Sequence, residues 1–237
     1  MEEVLHGVLS MLLYYFIAAG IALTCRVVIY IPNELFRKCL HCILLGSLLV
    51  FVFCFETWWI SALSAVGFAV LVYPILSLLE RIKGYGELTT ERKQGELKNS
   101  LLLAFSMFAV VISICWGWFH DRSLVLASIY AWGFGDAAAA LVGKRWGKHK
   151  IHLRYADQRK SWEGSATMFL VSLLSVTLIL LYRGGLSVVG YIVTPLLTAM
   201  VSTLAELYSK NGYDTVICPL SAMAILLPLT HLFGGLV

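Results

Sequence analysis

The sequence predicts an all-α fold, a polytopic membrane helical bundle of about eight transmembrane helices that forms one domain over residues 1–237. Of its residues, 59% are hydrophobic and only 14% are charged, whereas ordinary globular chains carry about 25% charged residues. A soluble fold of this length could not bury so much apolar surface. The apolar residues also gather into eight stretches, each close to the ~20 residues that cross a bilayer.

The first four stretches lie at approximately 7–30, 36–55, 57–80 and 97–119. The acidic start at residues 1–3 and the long apolar run after it are unlike a signal peptide, so we expect the first stretch to remain as a helix. The second is the least regular, because Arg37, Lys38 and His41 stand at its start. His41 lies one turn after Arg37 and therefore on its face. Glu96 stands just before the fourth stretch.

The last four stretches lie at approximately 122–143, 161–183, 186–208 and 214–236. The fifth holds Asp136 in its second half. The sixth opens with Ser161 and Glu163, a possible N-cap and an acidic first-turn residue, which favour a helix start. The seventh ends near Glu206, and the eighth begins at Asp214. We expect all eight to be helices, since a helix satisfies its own backbone hydrogen bonds in lipid.

Positive charge predicts the orientation of the bundle. Of the 18 Lys and Arg residues, only Arg122 and Arg183 fall in the loops after the fourth and sixth segments. The remaining sixteen lie in or close to the loops after segments one, three, five and seven, and two of these loops are long, at about 81–97 and 144–160. The positive-inside rule places these loops in the cytoplasm and both termini outside.

Asp136 is the first candidate for chemistry. It is a carboxylate inside a transmembrane segment, where a charge costs at least ~2.5 kcal/mol even on insertion scales, so a functional role is the default interpretation. Gly143 lies two turns later on the same face, which small residues leave open to another helix or a ligand. Lys144 follows ~12 Å along the axis. Asp136 therefore belongs to the cytoplasmic half of its helix.

The loop after the fifth segment is strongly basic. Cations provide charge-assisted donors to phosphate, and glycine lets a backbone approach closely. The loop and its edges supply both, as Gly143, Lys144, Arg145, Gly147, Lys148, Lys150 and Lys160. Basic loops beside a membrane also occur for topology alone, or as contacts to anionic lipid. The intramembrane carboxylate directly upstream favours phosphate binding here.

Carboxylates and cations from five helices thus converge on one predicted membrane surface. Asp214 could merely cap its helix, whereas Glu206 follows a continuous apolar run and is harder to explain as a cap. Magnesium usually takes one or two protein carboxylates plus phosphate oxygens, and phosphoryl transfer depends mainly on positioning and charge neutralisation. The chain has no GxxxxGK[ST], DFG or HRD pattern, which excludes a P-loop enzyme and a protein-kinase-like fold.

Several motifs stand in a fixed order along the chain. They are Arg37-Lys38-x-x-His41, Gly95-Glu96, Gly135-Asp136-x-x-Ala139-x-x-x-Gly143-Lys144-x-x-Gly147-Lys148, Lys160-Ser161-x-Glu163-Gly164, Glu206 and Asp214. In this order, over about residues 34–220, the chain resembles the CTP-dependent lipid kinases, the family of dolichol kinase, phytol kinase and CTP-dependent diacylglycerol kinase. It is more distantly similar to the phosphatidate cytidylyltransferases. One departure is Thr215, which follows Asp214 where family members often have Asn.

The resemblance implies CTP as phosphoryl donor, a divalent metal such as Mg²⁺ as cofactor, and a membrane lipid alcohol as acceptor. The nucleotide-binding candidates it implies are Arg37, Lys38, Lys144, Arg145, Lys148, Lys150, Lys160 and Ser161. The candidates for catalysis and metal binding are Asp136, Glu206 and Asp214, with an essential role for Asp136. Further site candidates are His41, Glu96, Gly135, Gly143, Gly147 and Glu163.

The hypothesis is a CTP-dependent kinase for a polyprenol or another isoprenoid alcohol, such as dolichol, phytol or farnesol. Its expected partners are CTP, the lipid alcohol and membrane lipids, with no nucleic acid. We expect a multi-pass protein of a prokaryotic cell membrane, with its active site facing the cytoplasm. The alternatives are a CTP-dependent diacylglycerol kinase, a cytidylyltransferase that forms a CDP-lipid and, from another class, a small transporter. The sequence does not determine the lipid or the oligomeric state.

Overall fold

The computed structural model describes residues 2–81, 84–89, 95–152, 160–210 and 212–234. Within these ranges, eight helices are long and apolar enough to cross a membrane. This confirms the predicted fold class, an all-α bundle of a multi-pass membrane protein. The chain divides into two compact units, Met1–Val110 and Val111–Val237.

The first unit consists of the amino-terminal helices. These are α1 (Glu2–Val28), α2 (Asn33–Phe53), α3 (Trp58–Leu79), the short α4 (Tyr85–Thr89) and nearly all of α5 (Glu96–Val111). In its core, the rings of Phe51, Phe105 and Phe108 meet edge-on, with centroids 5.9–6.5 Å apart. Tyr15 of α1 stacks on Phe68 of α3 with centroids 5.2 Å apart. Aromatic contacts of these geometries stabilise the packing beyond simple area burial.

The second unit begins with a π-helical turn, Ile112–Trp118, that continues α5. It then contains α6 (Arg122–Trp146), α7 (Trp162–Arg183), α8 (Val188–Tyr208) and α9 (Asp214–Gly234). Helix α6 is central, because it is buried continuously from Leu124 to Gly133 and packs against the other three helices. A Cβ atom at Gly135 would lie only 2.6 Å from the Ser172 hydroxyl oxygen of α7. Small residues therefore let α6 and α7 approach closely.

A buried ion pair joins the start of α6 to the end of α7. Asp121 caps α6 by accepting hydrogen bonds from the backbone N–H groups of Ser123 and Leu124, at 2.9 and 3.1 Å. Its other carboxylate oxygen lies 2.5 Å from the Arg183 Nε. The cap satisfies N–H groups that would otherwise lack partners, so this carboxylate has a structural explanation.

Several helix boundaries differ from the predicted ones by up to five residues. Helix α1 begins at Glu2 rather than residue 7, because an acidic first turn is favourable at a helix N-terminus. Helix α6 continues through Lys144 and Arg145, predicted as loop, because cations are favourable in a last turn. Helix α4 lies inside the predicted 81–97 loop. Parts of the two long loops, at 82–83, 90–94 and 153–159, lie outside the described residues.

Candidate active site

Three helices of the second unit bring carboxylates to one end of the bundle. Glu206, near the end of α8, is buried, and its carboxylate lies 2.8 Å from the Lys160 Nζ. The charges of Asp136 on α6 and Asp214 at the start of α9 both act on the Glu206 carboxylate. These are the three carboxylates that the sequence singles out. The fold thus assembles them with one of the predicted cations, although they stand up to 78 positions apart in the chain.

Lys160 also caps the end of α8. Its ammonium donates to the backbone carbonyl of Glu206 and, at 3.4 Å, to that of Ser209. The last carbonyls of a helix have no partners within the helix, and its C-terminus carries partial negative charge. One cation therefore balances a buried carboxylate and a helix end. In the structure Lys160 is thus bonded to α8, and its nucleotide-binding role stays a prediction.

The carboxylates suit a divalent ion that arrives with a nucleotide. Among the residues that the structure describes, no group of three His, Cys, Asp or Glu side chains is arranged to hold a metal ion. Magnesium, however, commonly takes only one or two protein carboxylates and completes its shell with phosphate oxygens and water. One or two of the carboxylates of Asp136, Glu206 and Asp214 would supply oxygen ligands of this kind.

Ser161 and Glu163 organise the start of α7. Ser161 is buried, and its hydroxyl accepts a hydrogen bond from the Gly164 N–H at 3.2 Å, which confirms the N-cap interpretation. The Glu163 carboxylate accepts from the backbone N–H groups of Lys148 and His149, each at 3.2 Å, and contacts the His149 Nδ1 at 2.7 Å. Glu163 therefore holds the basic loop against the first turn of α7.

The basic loop is anchored at two further points. The Ile151 N–H donates to the Lys160 carbonyl at 3.1 Å, and the Trp162 N–H to the His149 carbonyl at 3.0 Å. The side chain of Ile151 is buried and clusters with Leu207, next to Glu206 on α8. The cations near this anchor are exposed, namely Lys144, Arg145, Lys148 and Lys150. A fixed backbone with exposed cations near the buried carboxylate of Glu206 suits an anionic ligand.

The glycines of the motif are largely explained by packing. A Cβ atom at Gly147 would overlap the Gly143 carbonyl oxygen and lie 2.5 Å from the Ser161 Oγ. One at Gly143 would lie 3.2 Å from the same Oγ and 3.6 Å from the Gly164 Cα. The sequence predicts that Gly143 leaves room for another helix or a ligand, and that both glycines let the backbone approach phosphate. In the structure, the start of α7 occupies that room, so the close approach is between helices.

The remaining candidates lie in the first unit. Arg37 forms ion pairs with Glu96 at 2.9 Å and with Glu34 at 3.1 Å. Lys38 and His41 are half-buried on the same helix, α2. The structure therefore joins two predicted site residues, Arg37 and Glu96, across 59 positions of sequence. Phosphate-side roles for Arg37 and Lys38 stay predictions.

Three residues near the site were not singled out from the sequence. His149 contacts Glu163, the Ser209 carbonyl accepts from Lys160, and Cys218 is buried where the charges of Asp214 and Glu206 reach it. Cys218 lies four positions after Asp214, and this helical spacing was the one available signal. The other two contacts join distant segments and leave no local pattern.

Comparison with known proteins gives relatives over most of the chain. A protein named phytol kinase from Synechocystis sp. is 31% identical over 218 residues, which cover 86% of this chain and 83% of the relative. A probable chloroplastic phytol kinase of Triticum aestivum is 28% identical, over 82% of this chain and 67% of the relative. One of Glycine max is 26% identical, over 82% and 65%. No family model and no solved structure matches.

Proposed function

The chain belongs to the phytol kinase family, and from this premise we propose that it transfers the γ-phosphoryl group of CTP to the hydroxyl of an isoprenoid alcohol. It is a lipid-alcohol kinase with eight helices able to span a membrane. One observation supports the location of its chemistry: the Glu206 carboxylate pairs with Lys160 and lies where the charges of Asp136 and Asp214 act on it. The diacylglycerol kinase alternative has no support among the relatives, all of which carry the name phytol kinase.

The charges around this cluster match the two substrates. A nucleoside triphosphate is strongly anionic and needs cations, which Lys144, Lys148 and Lys150 can supply from the anchored loop. An alcohol needs a group that can accept its proton as the new bond forms, and carboxylates serve as such bases. We propose that the triphosphate lies over the basic loop and that the alcohol oxygen reaches the carboxylates from the membrane.

The reaction then needs one bond to form and one to break. The alcohol oxygen bonds to the γ-phosphorus, the bond from that phosphorus to the bridging oxygen breaks, and CDP leaves. We propose that Asp136 either receives the hydroxyl proton, with Glu206 and Asp214 placed to hold a divalent ion, or holds that ion itself and leaves the proton to one of these two carboxylates. When bound, Mg²⁺ would supply positive charge against the phosphate oxygens. Lys160 limits the repulsion among the carboxylates by pairing with Glu206.

Donor and product can be tested together. We expect purified protein to use CTP in preference to ATP at equal concentration, and to release CDP with a phosphorylated isoprenoid alcohol. The measurement is mass spectrometry of both products, with phytol as acceptor. Equal or better use of ATP would overturn the CTP assignment and leave the kinase assignment standing. Pyrophosphate and a CDP-lipid would instead identify a cytidylyltransferase.

The orientation of the bundle is a further prediction. Because Lys and Arg are concentrated in alternate loops, we expect the 81–97 and 144–160 loops to face the cytoplasm. Cysteines placed at Gly86 and His152, on a background without native cysteines, should react with an impermeant maleimide only after lysis of cells. A cysteine at Val188, at the other end of the helices, should react in intact cells. The reverse pattern would overturn the orientation and the cytoplasmic active site.

A further inference from the structure

A groove lies between α8 and α9 on the outer face of the second unit. It is an open surface groove of about 330 Å³, and its lining residues are Val201, Leu204, Ala205, Tyr208, Ser209, Ile217 and Ser221. This volume is at the small end of the range for ligand pockets. Most of the lining is apolar, and Leu204 and Ile217 are exposed. Because both helices are apolar enough to span a membrane, the groove opens toward lipid.

The groove runs alongside the candidate active site. Ala205 precedes Glu206 directly, and Ser209 is the residue whose carbonyl accepts from Lys160. The groove and the carboxylate cluster are therefore on two faces of the same helix end. Helix α8 ends at Tyr208. A ligand could therefore pass from the groove face of α8 to the carboxylate face around the helix end at Ser209. A groove elsewhere on the bundle would lack this connection.

The lining offers contacts for both the hydrocarbon chain and the hydroxyl group of a lipid alcohol. Val201 lies two turns before Ser209, so the apolar wall extends for ~12 Å along the axis, enough to hold part of a hydrocarbon chain. At its end, the Ser209 hydroxyl donates to the Ala205 carbonyl at 2.6 Å. A hydroxyl oxygen that donates one hydrogen bond still has lone pairs with which to accept another. It can therefore accept a hydrogen bond from an alcohol that stands between lipid and site.

We infer that this groove binds the hydrocarbon chain of the isoprenoid alcohol and delivers its hydroxyl, round the end of α8 at Ser209, to the Glu206 cluster. The inference rests on the proposed function and adds the acceptor site to it. The groove determines which alcohols react well, because a long chain fills it and a short one does not. Bulk bilayer lipid is the competing occupant.

Two groove-filling variants test the acceptor site, Ser221→Phe and Ala205→Phe. Both should lower kcat/KM for a twenty-carbon isoprenoid alcohol about tenfold or more, while the KM for CTP and the rate with a five-carbon alcohol change little. Leu178→Phe, at an exposed position of α7 that is not part of the groove lining, is the matched control and should behave as wild type. Ser221→Phe is decisive, because Ala205 directly precedes Glu206. Unchanged kinetics with the long alcohol in both groove variants would overturn the inference.

Photolabelling separates this inference from the proposed function. A twenty-carbon isoprenoid alcohol with a diazirine in its chain should label α8 and α9 of the wild-type protein without nucleotide, and Ser221→Phe should abolish the labelling. Excess phytol should compete, whereas excess phospholipid should not. If the wild type phosphorylates no alcohol but is labelled in this way, the proposed function fails and the groove stands. Labelling spread over all lipid-facing helices, or displaced by phospholipid, would show a groove that holds bulk lipid only.

Discussion

Asp136→Asn is expected to abolish turnover, with kcat lower by ~10²-fold or more, in a protein that remains folded in the membrane. Asn keeps the shape of the side chain and removes its charge. Within a membrane span, that loss of charge should favour insertion. If Asp136 takes the alcohol proton or holds the divalent ion, an amide cannot replace it. If Asp136 instead served only as a hydrogen-bonding partner between helices, Asn would often suffice and most activity would survive.

The matched control is a second carboxylate, at the start of the same helix. Asp121 is the N-cap of α6 and pairs with Arg183, and it lies ~22 Å along the helix axis from Asp136. Asp121→Asn should lower the unfolding midpoint, because it leaves Arg183 without its buried counter-ion, and should retain turnover per folded molecule. Steady-state kinetics and thermal unfolding of both variants in detergent check this. Turnover of Asp136→Asn within a few-fold of wild type would show that the chemistry lies elsewhere.

The second large effect is expected on stability. Lys160→Met leaves Glu206 buried without its cation, close to the charges of Asp136 and Asp214. Removing one partner of a buried pair typically costs 3–5 kcal/mol, and about 3 kcal/mol is appropriate here because the Lys160 side chain keeps 19% exposure. The double variant Lys160→Met/Glu206→Gln should regain most of this stability. It should stay inactive, since a cation and a carboxylate of the proposed site are both gone.

A second ion pair provides the reference for this comparison of single and double variants. Lys98 and Glu80 of the first unit lie 2.8 Å apart with 18% and 7% side-chain exposure, close to the 19% and 10% of Lys160 and Glu206. Lys98→Met/Glu80→Gln should show similar coupling in denaturant unfolding without loss of turnover. Strictly additive effects at Lys160 and Glu206 would mean that the two charges do not stabilise each other. An active Lys160→Met/Glu206→Gln enzyme would remove both residues from the proposed chemistry.

The sequence determined the class of the protein, because that information is local. Eight apolar stretches of bilayer length, with Lys and Arg in alternate loops, require spanning helices whatever their neighbours are. The ordered motifs from Arg37 to Asp214 were also sufficient for the family, which the relatives confirm. Asp136 stood out as a candidate for a physical reason as well, since a charge within a membrane span costs at least ~2.5 kcal/mol.

Only the tertiary structure decided which polar residues act as partners. Spacing along the chain could not show that Lys160 binds Glu206 and the end of α8. Nor could it show that Glu163 holds the basic loop, or that Gly143 and Gly147 make room for α7. These contacts join segments whose separation depends on how helices pack, and helix packing depends on side-chain shapes across the interface. The sequence pattern shows where helices begin and end, but it does not show which helix faces pack together.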